Sequence, residues 1–575
     1  MSQLLHKFSF LIEFFYNGTF ILLHSLIEND KIPKTWNVEY VNNFHDKMIY
    51  GVPFIIFLTV LSNIIDAKNI EDFIRKYSFS FLVFIPILIT WGDSEFTFLL
   101  SSAHLLSTIL SLYDDDSSSS EKKAFQFADI LKRLRLSSPQ IVLFSFGGVI
   151  LFGTFLLMLP FSIQEGKTIS FIDALFTATS ATCVTGLSTV SLGNDFTLFG
   201  QLVVLLLIQI GGLSIMTLYS SMAIFLGKAM RMNERIIMQD FLDVSSLEEL
   251  FVMIVNIVKY TFIIELWGGV VLTIAFTFEG FDFGQSLYYG FFHSISAFCN
   301  AGFALFDNSL ENYATNPLIH GTISVLIILG GLGFLVLKEL KEVVVGNKTI
   351  VRLTMHSKIV CITTIILTFG GAIFIFFGEF LGALDNYTLW EKVQLSVFQS
   401  ITLRTAGFNT IPLNDLNSYT IYLMSLFMFI GGSPGSTAGG VKTTTLAILA
   451  QSIISTLKGS KTVNFFDRSI SGPMVVRATA LMFISIIITS FFIFVMMNIE
   501  SNQAFLPLFF EVVSASATVG LSLGLTPYLT VMGKIAISVL MLIGRIGPLT
   551  LILAIGERQK SKGRSDFPEG RILIG

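Results

Sequence analysis

Four stretches of the sequence contain residues whose types and spacing could coordinate a cation. Each has a phenylalanine, a run of small and hydroxyl-bearing residues, and then one glycine followed by a bulky apolar residue. The glycines are Gly186, Gly302, Gly407 and Gly520, which lie 116, 105 and 113 residues apart. A second glycine mark follows each of them after 24 to 28 residues. Four repeats in near-constant register predict one structural unit that is used four times.

The glycines fit the chemistry of a cation filter. Such a filter replaces the hydration shell of the ion with backbone carbonyls, and a short helix directs its negative C-terminal end toward the cavity. Glycine supplies the positive φ values that turn successive carbonyls toward one axis. Nearby hydroxyl groups can add ligands or brace the loop. They belong to Thr182, Thr185, Thr405 and Thr518.

The composition predicts that these stretches lie in a membrane. Hydrophobic residues make up 53% of the 575 residues, and charged residues make up 13%, roughly half the share found in soluble domains. Apolar stretches at 141–159, 198–218 and 535–555 reach the roughly 20 residues that a helix needs to cross the hydrocarbon. The net charge of −4 argues against a nucleic-acid partner. The three cysteines support neither a disulfide framework nor a zinc motif.

Each unit has the same predicted order of elements: a long apolar helix, a short helix, the glycine stretch and a second long helix. First helices are predicted near 141–160, 251–277, 357–381 and 474–498, and second helices near 197–224, 318–338, 418–457 (interrupted) and 529–555. Patterns typical of capping boxes begin at Ser170, Asp282 and Thr388 and predict the starts of three short helices. A short helix between two spanning helices predicts a re-entrant pore loop.

These elements divide the chain into seven predicted regions. The regions are about three membrane helices over 1–113, a polar and basic cytoplasmic linker over 114–137, four pore units over 138–245, 246–350, 351–465 and 466–556, and a cytoplasmic tail over 557–575. The last apolar stretch of the first region, 79–112, fits one helix or two shorter ones. Residues 124–138 have one basic and one apolar face, which fits an interfacial helix or a plain amphipathic linker.

Lysine and arginine are distributed unevenly over the two ends of the predicted helices. After residue 138, most of them lie on the connections between units and in the tail, whereas Lys167, Lys392 and Lys534 lie on the side of the pore-loop mouths. The positive-inside rule therefore predicts that the pore loops open to the outer face and that the C-terminus is cytoplasmic.

The four stretches resemble the filter loops of the Trk/Ktr/HKT superfamily of cation transporters, closest to its KtrB- and TrkH-type potassium-translocating subunits. They read Thr-Cys-Val-Thr-Gly-Leu187, Cys-Asn-Ala-Gly-Phe303, Arg-Thr-Ala-Gly-Phe-Asn409 and Thr-Val-Gly-Leu521, and the similarity covers about 138–575. Together with the repeat, the resemblance implies an all-α polytopic membrane protein with four tandem helix–pore loop–helix repeats around a pseudo-fourfold pore, preceded by N-terminal membrane helices. The implied ion-contacting residues are Val184, Thr185, Gly186, Leu187, Asn300, Ala301, Gly302, Phe303, Thr405, Ala406, Gly407, Phe408, Thr518, Val519, Gly520 and Leu521.

The second helix of unit 3 is interrupted by a glycine-rich run over 431–444. Such a run cannot form a continuous lipid-facing helix, and it lacks the spacing of a phosphate-binding loop. It resembles the intramembrane gating loop of the superfamily. Arg545 lies inside an apolar helix, where a charge is a functional candidate, and the superfamily carries an arginine there. The implied gate residues are Gly432, Ser433, Pro434, Gly435, Ser436, Thr437, Ala438, Gly439, Gly440 and Arg545.

Three further ionisable residues lie close to these elements. Arg404 adjoins the third glycine stretch and resembles an arginine that the superfamily has there, so we expect it to clamp the loop. Glu265 and Glu379 lie within first helices and are either buried hydrogen-bonding anchors or groups of the ion pathway.

The resemblance implies uptake of potassium through a channel-like pore in the plasma or inner membrane. In related plant transporters a serine at the first filter glycine accompanies sodium selectivity, so Gly186 points to potassium. The alternative is a sodium-coupled or sodium-transporting carrier of the same superfamily. No HExxH motif and no pair of intramembrane aspartates is present, so we predict that the chain is not an enzyme, and no cofactor is expected besides K⁺ as the transported ion.

The resemblance also implies the partners of the chain. They are a second copy in a homodimer, a cytosolic nucleotide-binding regulatory ring of the KtrA or TrkA type, and the membrane lipid. The first 137 residues exceed the pattern of the superfamily, which leaves open whether the chain uses the standard regulator.

Overall fold

The computed structural model describes most of the predicted membrane helices. The described residues are 2–28, 31–33, 36–66, 86, 92–117, 138–213, 247–344, 346, 352–460, 462–466 and 468–547. Most of the predicted helix over 124–138, most of the predicted linker over 114–137 and the predicted tail over 557–575 lie outside the described residues.

Among the described residues before the repeats, three helices pack against one another. They are α1 (Ser2–Glu28), α2 (Val38–Asp66) and α3 (Ser94–Ser117). This N-terminal bundle contacts the first repeat through aromatic side chains, since the rings of Phe15 and Phe152 lie 5.4 Å apart. The Tyr40 hydroxyl donates a hydrogen bond of 3.3 Å to the Met158 carbonyl. The bundle is therefore attached to unit 1.

The repeats have the predicted order of elements. The first helices are Ser138–Met158, Leu247–Phe278, Met355–Glu379 and Gly472–Ile499. The short helices are Phe171–Thr182, Phe283–Phe298, Leu389–Thr402 and Phe505–Ala517. The second helices are Leu198–Leu213, Pro317–Leu332 with Phe334–Val344, Ser418–Met428 with Thr443–Leu457, and Val531–Ile546. Units 3 and 4 are joined by an antiparallel hairpin of Val463–Phe465 and Arg468–Ile470.

Length and composition identify the helices that can cross a membrane. Within the described part of the chain, six helices are long and apolar enough, and the bent pair in unit 2 adds a seventh. The six comprise α1, α2 and the four first helices. The short helices, with 12 to 16 residues, fall below the roughly 20 needed to span.

One of the three predicted capping boxes forms in full, and the other two form a single side-chain hydrogen bond to the helix backbone. Thr388 and Glu391 make the full capping box, in which each side chain accepts a hydrogen bond from the backbone of the other residue. Ser170 accepts from the Asp173 amide at 3.1 Å. Asp282 accepts from the Gly284 amide, one residue earlier than a capping box requires. Each of these three short helices therefore begins at the predicted residue.

A glutamate near the end of the first helix anchors the start of the second helix in three units. Glu379 accepts a hydrogen bond of 2.9 Å from the Asn417 amide, and Glu500 accepts one of 2.7 Å from the Thr530 amide. In unit 2 the partners are Glu279 and Asn316. Glu379 is thus a buried hydrogen-bonding anchor, one of the two roles that the sequence left open.

The second helix of unit 2 is broken, although the sequence predicted a continuous helix over 318–338. The two parts meet at Gly333 with a bend of 113°. Gly333 has φ +94°, a value that side chains rarely adopt. The Phe334 amide donates to the Gly435 carbonyl at 3.0 Å. The helix breaks here because this amide bonds the glycine-rich run of unit 3.

Candidate functional site

Each glycine stretch has the same unusual backbone, with a second left-handed residue two positions before the glycine. The glycines have φ of 95°, 70°, 79° and 94° in chain order. The preceding left-handed residues are Val184, Asn300, Thr405 and Thr518, with φ of 56°, 58°, 66° and 53°. Asparagine tolerates this region, whereas valine and threonine adopt it rarely. The sequence predicted the glycines but carried no local signal for these residues.

The glycine segments, defined as residues 184–187, 300–303, 405–408 and 518–521, meet one another in a closed ring. A Cβ atom added to any of the four glycines would collide with the carbonyl oxygen preceding the glycine of the next segment. The pairs are Gly186 with Ala301, Gly302 with Ala406, Gly407 with Val519, and Gly520 with Thr185. The first three of these distances would be 2.5 to 2.6 Å. Only glycine allows the four backbones to approach one another this closely.

Hydrogen bonds to the short helices hold the segments in place, and unit 3 differs from the others. In units 1, 2 and 4 the residue before the glycine donates at 2.8 Å to a serine carbonyl. In unit 3, Ala406 donates to Thr402 at 3.0 Å. This unit has one residue fewer between its phenylalanine and its glycine, so Ile401 takes the place of the serine. The ring is fourfold in outline but not in every bond.

Four threonine hydroxyls beside the ring are buried and have no hydrogen-bond partner in the described part of the chain. They belong to Thr182, Thr185, Thr405 and Thr518. The sequence left open whether these hydroxyls brace the loop or act as ligands, and no bracing hydrogen bond is present among the described residues.

The ring opens into a cavity of about 710 Å³, which all four glycines line. Three acidic residues also line it: Asp195, Asp307 and Glu311. Glu311 accepts a hydrogen bond of 2.6 Å from Asn409. Its partial burial and the nearby Asp415 raise the pKa of the Glu311 carboxyl, against the effect of that hydrogen bond. Acidic groups at the mouth of a narrow cavity raise the local concentration of cations. The sequence analysis had not identified these acids.

The glycine-rich run of unit 3 lies against unit 2 at the end of its short helix. We call residues 432–440 the intramembrane loop. The Ser433 amide donates to the Gly331 carbonyl at 3.0 Å. The Thr437 hydroxyl donates to the Phe298 carbonyl at 3.1 Å, two residues before glycine segment 2. The structure thus brings the predicted gate residues close to the predicted ion-contacting residues.

Arg545 connects the intramembrane loop with units 1 and 4. Its guanidinium donates to the carbonyls of Thr437 and Gly211, and at 3.3 Å to that of Gly212. The half-buried Lys442 lies at the same loop, and its ammonium group donates to the Ala438 carbonyl at 2.8 Å. Because Arg545 bonds carbonyls rather than carboxylates, these partners do not neutralise its positive charge.

Two residues singled out from the sequence lie behind the ring. The Arg404 side chain is buried, and its Nε has no hydrogen-bond partner among the described residues. Glu265 accepts from Gln209 at 3.3 Å, and the Cys299 thiol lies 3.8 Å from its other oxygen. Glu265 therefore connects the first helix of unit 2 with unit 1 beside glycine segment 2.

Comparison with known proteins agrees with this architecture. The sequence matches the TrkH family model, described as cation transport protein, over residues 120–562. Ktr system potassium uptake protein B of Bacillus subtilis is 38% identical over 448 residues, which cover 78% of this chain and 98% of the relative. The potassium/sodium uptake protein NtpJ of Enterococcus hirae is 36% identical over 448 residues, covering 77% and 98%.

The fold also matches a solved structure. The crystal structure of the potassium transporter TrkH from Vibrio parahaemolyticus aligns with a TM-score of 0.57 at 18% identity, covering 89% of this chain and 98% of that one. This likeness confirms the predicted all-α membrane fold of four repeats. The relatives are transport proteins, which supports the prediction that the chain is not an enzyme. The chain is a multi-pass membrane protein and belongs to the TrkH family of cation transport proteins.

Proposed function

We propose that this protein takes up potassium across the cell membrane through a pore lined by the four glycine segments. The observation that carries the proposal is the closed ring, in which each glycine packs against the carbonyl that precedes the next glycine. A ring of backbone carbonyls can replace the hydration shell of a cation without a net protein charge. Thr185, Thr405 and Thr518 of the glycine segments carry hydroxyl groups without a hydrogen-bond partner in the described part of the chain, and these oxygens are available as further ligands.

Potassium is favoured over sodium by two observations. Gly186 is glycine at the position where, by resemblance, sodium-selective plant members have serine. The Bacillus relative is named a potassium uptake protein. Sodium transport remains the second candidate, since the Enterococcus relative is named a potassium/sodium uptake protein.

The intramembrane loop and Arg545 act in this proposal as the gate. The loop is bonded both to the end of a short helix and to Arg545, so it lies next to the path of an ion leaving the ring. The charge of Arg545 repels a cation at this point. Opening then requires the loop to exchange its bonds to Phe298 and Arg545 for other partners.

The orientation and partners belong to the same proposal. The excess of lysine and arginine on the connections between units supports a cytoplasmic C-terminus and an outward-facing cavity. The sequence contains no nucleotide-binding motif, so nucleotide control would reside in a separate cytosolic ring. By resemblance to the superfamily, the translocating chain itself is a homodimer.

The test is growth and ion uptake in a bacterial strain that lacks its own potassium transport. We expect the protein to restore growth at low potassium, and the Gly186→Ser substitution to abolish uptake or shift its preference toward sodium. Gly370→Ser is the matched control, because Gly370 lies in a first helix with no atom within 4 Å of an added Cβ. Unchanged ion preference in the Gly186→Ser variant would contradict the proposed filter.

A further inference from the structure

The residue after the phenylalanine differs among the four short helices, although its position is equivalent in each of them. It is Thr177, His293, Gln399 and Glu511 in chain order, and all four side chains are fully buried. The hydroxyl of Thr177 and both amide atoms of Gln399 have no hydrogen-bond partner within the described part of the chain. His293 accepts a hydrogen bond of 3.4 Å from the Leu305 amide, two residues after glycine segment 2.

The loop that follows glycine segment 2, residues 305–311, is bonded to both neighbouring units. Asp307 accepts a hydrogen bond of 2.6 Å from the Asn194 side chain of unit 1. On the other side, the Leu310 amide donates to the Asn409 carbonyl of unit 3 at 3.0 Å. The loops that follow the glycine segments of units 1, 2 and 3 are therefore joined to one another.

The corresponding loop of unit 4, residues 522–526, has no hydrogen bond to another unit among the residues that the structure describes. It lines the cavity through Ser522, Gly524 and Thr526. Its polar contacts are made with Glu511 instead, since the Ser522 hydroxyl donates to Oε2 at 2.7 Å and the Thr526 hydroxyl donates to Oε1. Both carboxyl oxygens thus accept a hydrogen bond from the loop that begins directly after glycine segment 4.

The Glu511 carboxyl group and this loop fix each other's position. A buried carboxyl group without hydrogen bonds is costly, so the conformation in which both hydroxyls reach Glu511 is favoured over its alternatives. Any shift of the loop is transmitted to Gly520 and Leu521, because Ser522 follows them directly in the chain. Coordination of a cation by backbone carbonyls depends on where these carbonyls lie. The hydrogen bonds of Glu511 therefore affect the quarter of the ring that unit 4 supplies.

We propose that Glu511 is a positioning residue for potassium recognition, which holds glycine segment 4 in place through the hydroxyls of Ser522 and Thr526. This role rests on the proposed uptake of potassium through the ring. Glu511 itself is fully buried and does not line the cavity, so it acts through the loop. Loss of its hydrogen bonds weakens potassium binding, whereas the maximal rate changes less because the other three segments and the gate are intact.

The test is the concentration dependence of potassium uptake by the full-length protein in proteoliposomes. Glu511→Met keeps the length of the side chain without its acceptors. We expect the apparent KM for potassium to rise about five-fold, the effect of about one lost hydrogen bond, with a maximal rate within about two-fold of wild type.

The control is Gln399→Met, which makes a similar change at the equivalent position of unit 3. The Gln399 amide has no hydrogen bond among the described residues, so the KM should stay at the wild-type value. An unchanged KM in Glu511→Met beside an active wild type would overturn this role alone. A wild-type protein without potassium uptake would overturn the proposed function and this role together.

A second substitution separates hydrogen bonding from charge. Glu511→Gln cannot carry a negative charge but keeps a polar group at both ends of the side chain, and each hydroxyl can rotate to donate or accept. We therefore expect a KM close to that of wild type. A KM as high as in Glu511→Met would overturn the proposal, because it would mean that the charge of Glu511 acts on the ion directly.

Variants of the loop keep the test decisive if Glu511→Met does not fold. Ser522→Ala combined with Thr526→Val removes both donors and leaves Glu511 in place. The KM should rise by a similar factor, and the thermal midpoint of the variant shows whether it is folded. A wild-type KM in this folded double variant would contradict the proposed role of the two hydroxyls.

Discussion

The four glycine segments share one backbone conformation, whereas the second helices beside them differ from unit to unit. The four segments repeat one backbone, with left-handed residues at matched positions and four equivalent glycine contacts. The second helices differ, since unit 2 bends by 113° at Gly333 and unit 3 is interrupted between Met428 and Thr443. Unit 4 contributes Arg545, a charged residue at a helix end.

This difference separates two physical tasks. Coordination of a spherical ion is served by equal ligands around an axis, which favours repetition of one backbone. Control of flux requires an element with two arrangements, and four identical helices would offer no single movable element. In the proposed mechanism the intramembrane loop is this element, held by hydrogen bonds to unit 2 and by the bond from Arg545 of unit 4.

The largest effect is expected in the ring. A Cβ at position 407 would lie 2.6 Å from the Val519 carbonyl, at a backbone φ of 79°. Such strain costs about 1–3 kcal/mol, so Gly407→Ala should lower cation uptake about ten-fold or more. Uptake into proteoliposomes measures it, with Gly370→Ala as the control. Wild-type uptake by Gly407→Ala would mean that the ring does not line the path.

The next largest effect is expected for Arg545 and the intramembrane loop. Arg545→Gln removes the cation that bonds Thr437 and Gly211, so flux should rise roughly five-fold or more, the scale of ordinary coupling free energies. Deleting residues 433–437 should raise flux in the same direction. The control is Arg477→Gln, at an exposed position of a first helix. Flux that stays constant in both gate variants would remove the proposed role of the loop.

A smaller effect is expected at the bend of unit 2. A Cβ at Gly333 would lie 2.7 Å from the Pro434 carbonyl, so Gly333→Ala should loosen the bond between Phe334 and the intramembrane loop. We expect a roughly two- to three-fold rise in flux and a lower thermal midpoint, from about 1 kcal/mol of strain. Gly321→Ala, with no atom within 4 Å, is the control. A decrease in flux would contradict this prediction, because it would mean that the bend stabilises the conducting ring and does not hold the intramembrane loop closed.

The smallest effect is a pH dependence of the outer cavity. The pKa of Glu311 is raised by partial burial and by Asp415, so its carboxyl becomes protonated at a higher pH than an ordinary glutamate. Uptake at low salt should therefore decrease as the pH falls through this raised pKa, by about two-fold. Glu311→Gln should reduce uptake at neutral pH and weaken this dependence. The control is the exposed Glu165→Gln, and an equal response of both variants would exclude a specific role of Glu311.

The sequence predicts those parts of the candidate site that depend on the local residue type. The positions of the four glycines, the interruption in unit 3 and the charge of Arg545 all follow from spacing and composition. It did not identify the contact of Lys442, whose ammonium group donates a hydrogen bond to the Ala438 carbonyl. It also missed the acids of the outer cavity, because loops from different units bring Asp195, Asp307 and Glu311 together.

A membrane protein of four repeated units is predictable from the sequence alone, because hydrophobic length and glycine spacing are properties of single segments. The positive φ of Val184 and Thr518 and the helix break at Gly333 are visible only in the folded chain. The same holds for the contact between Glu13 and His104, which are 91 residues apart. Each of these depends on a contact between segments far apart in the chain, and the pattern within one segment does not encode its partner.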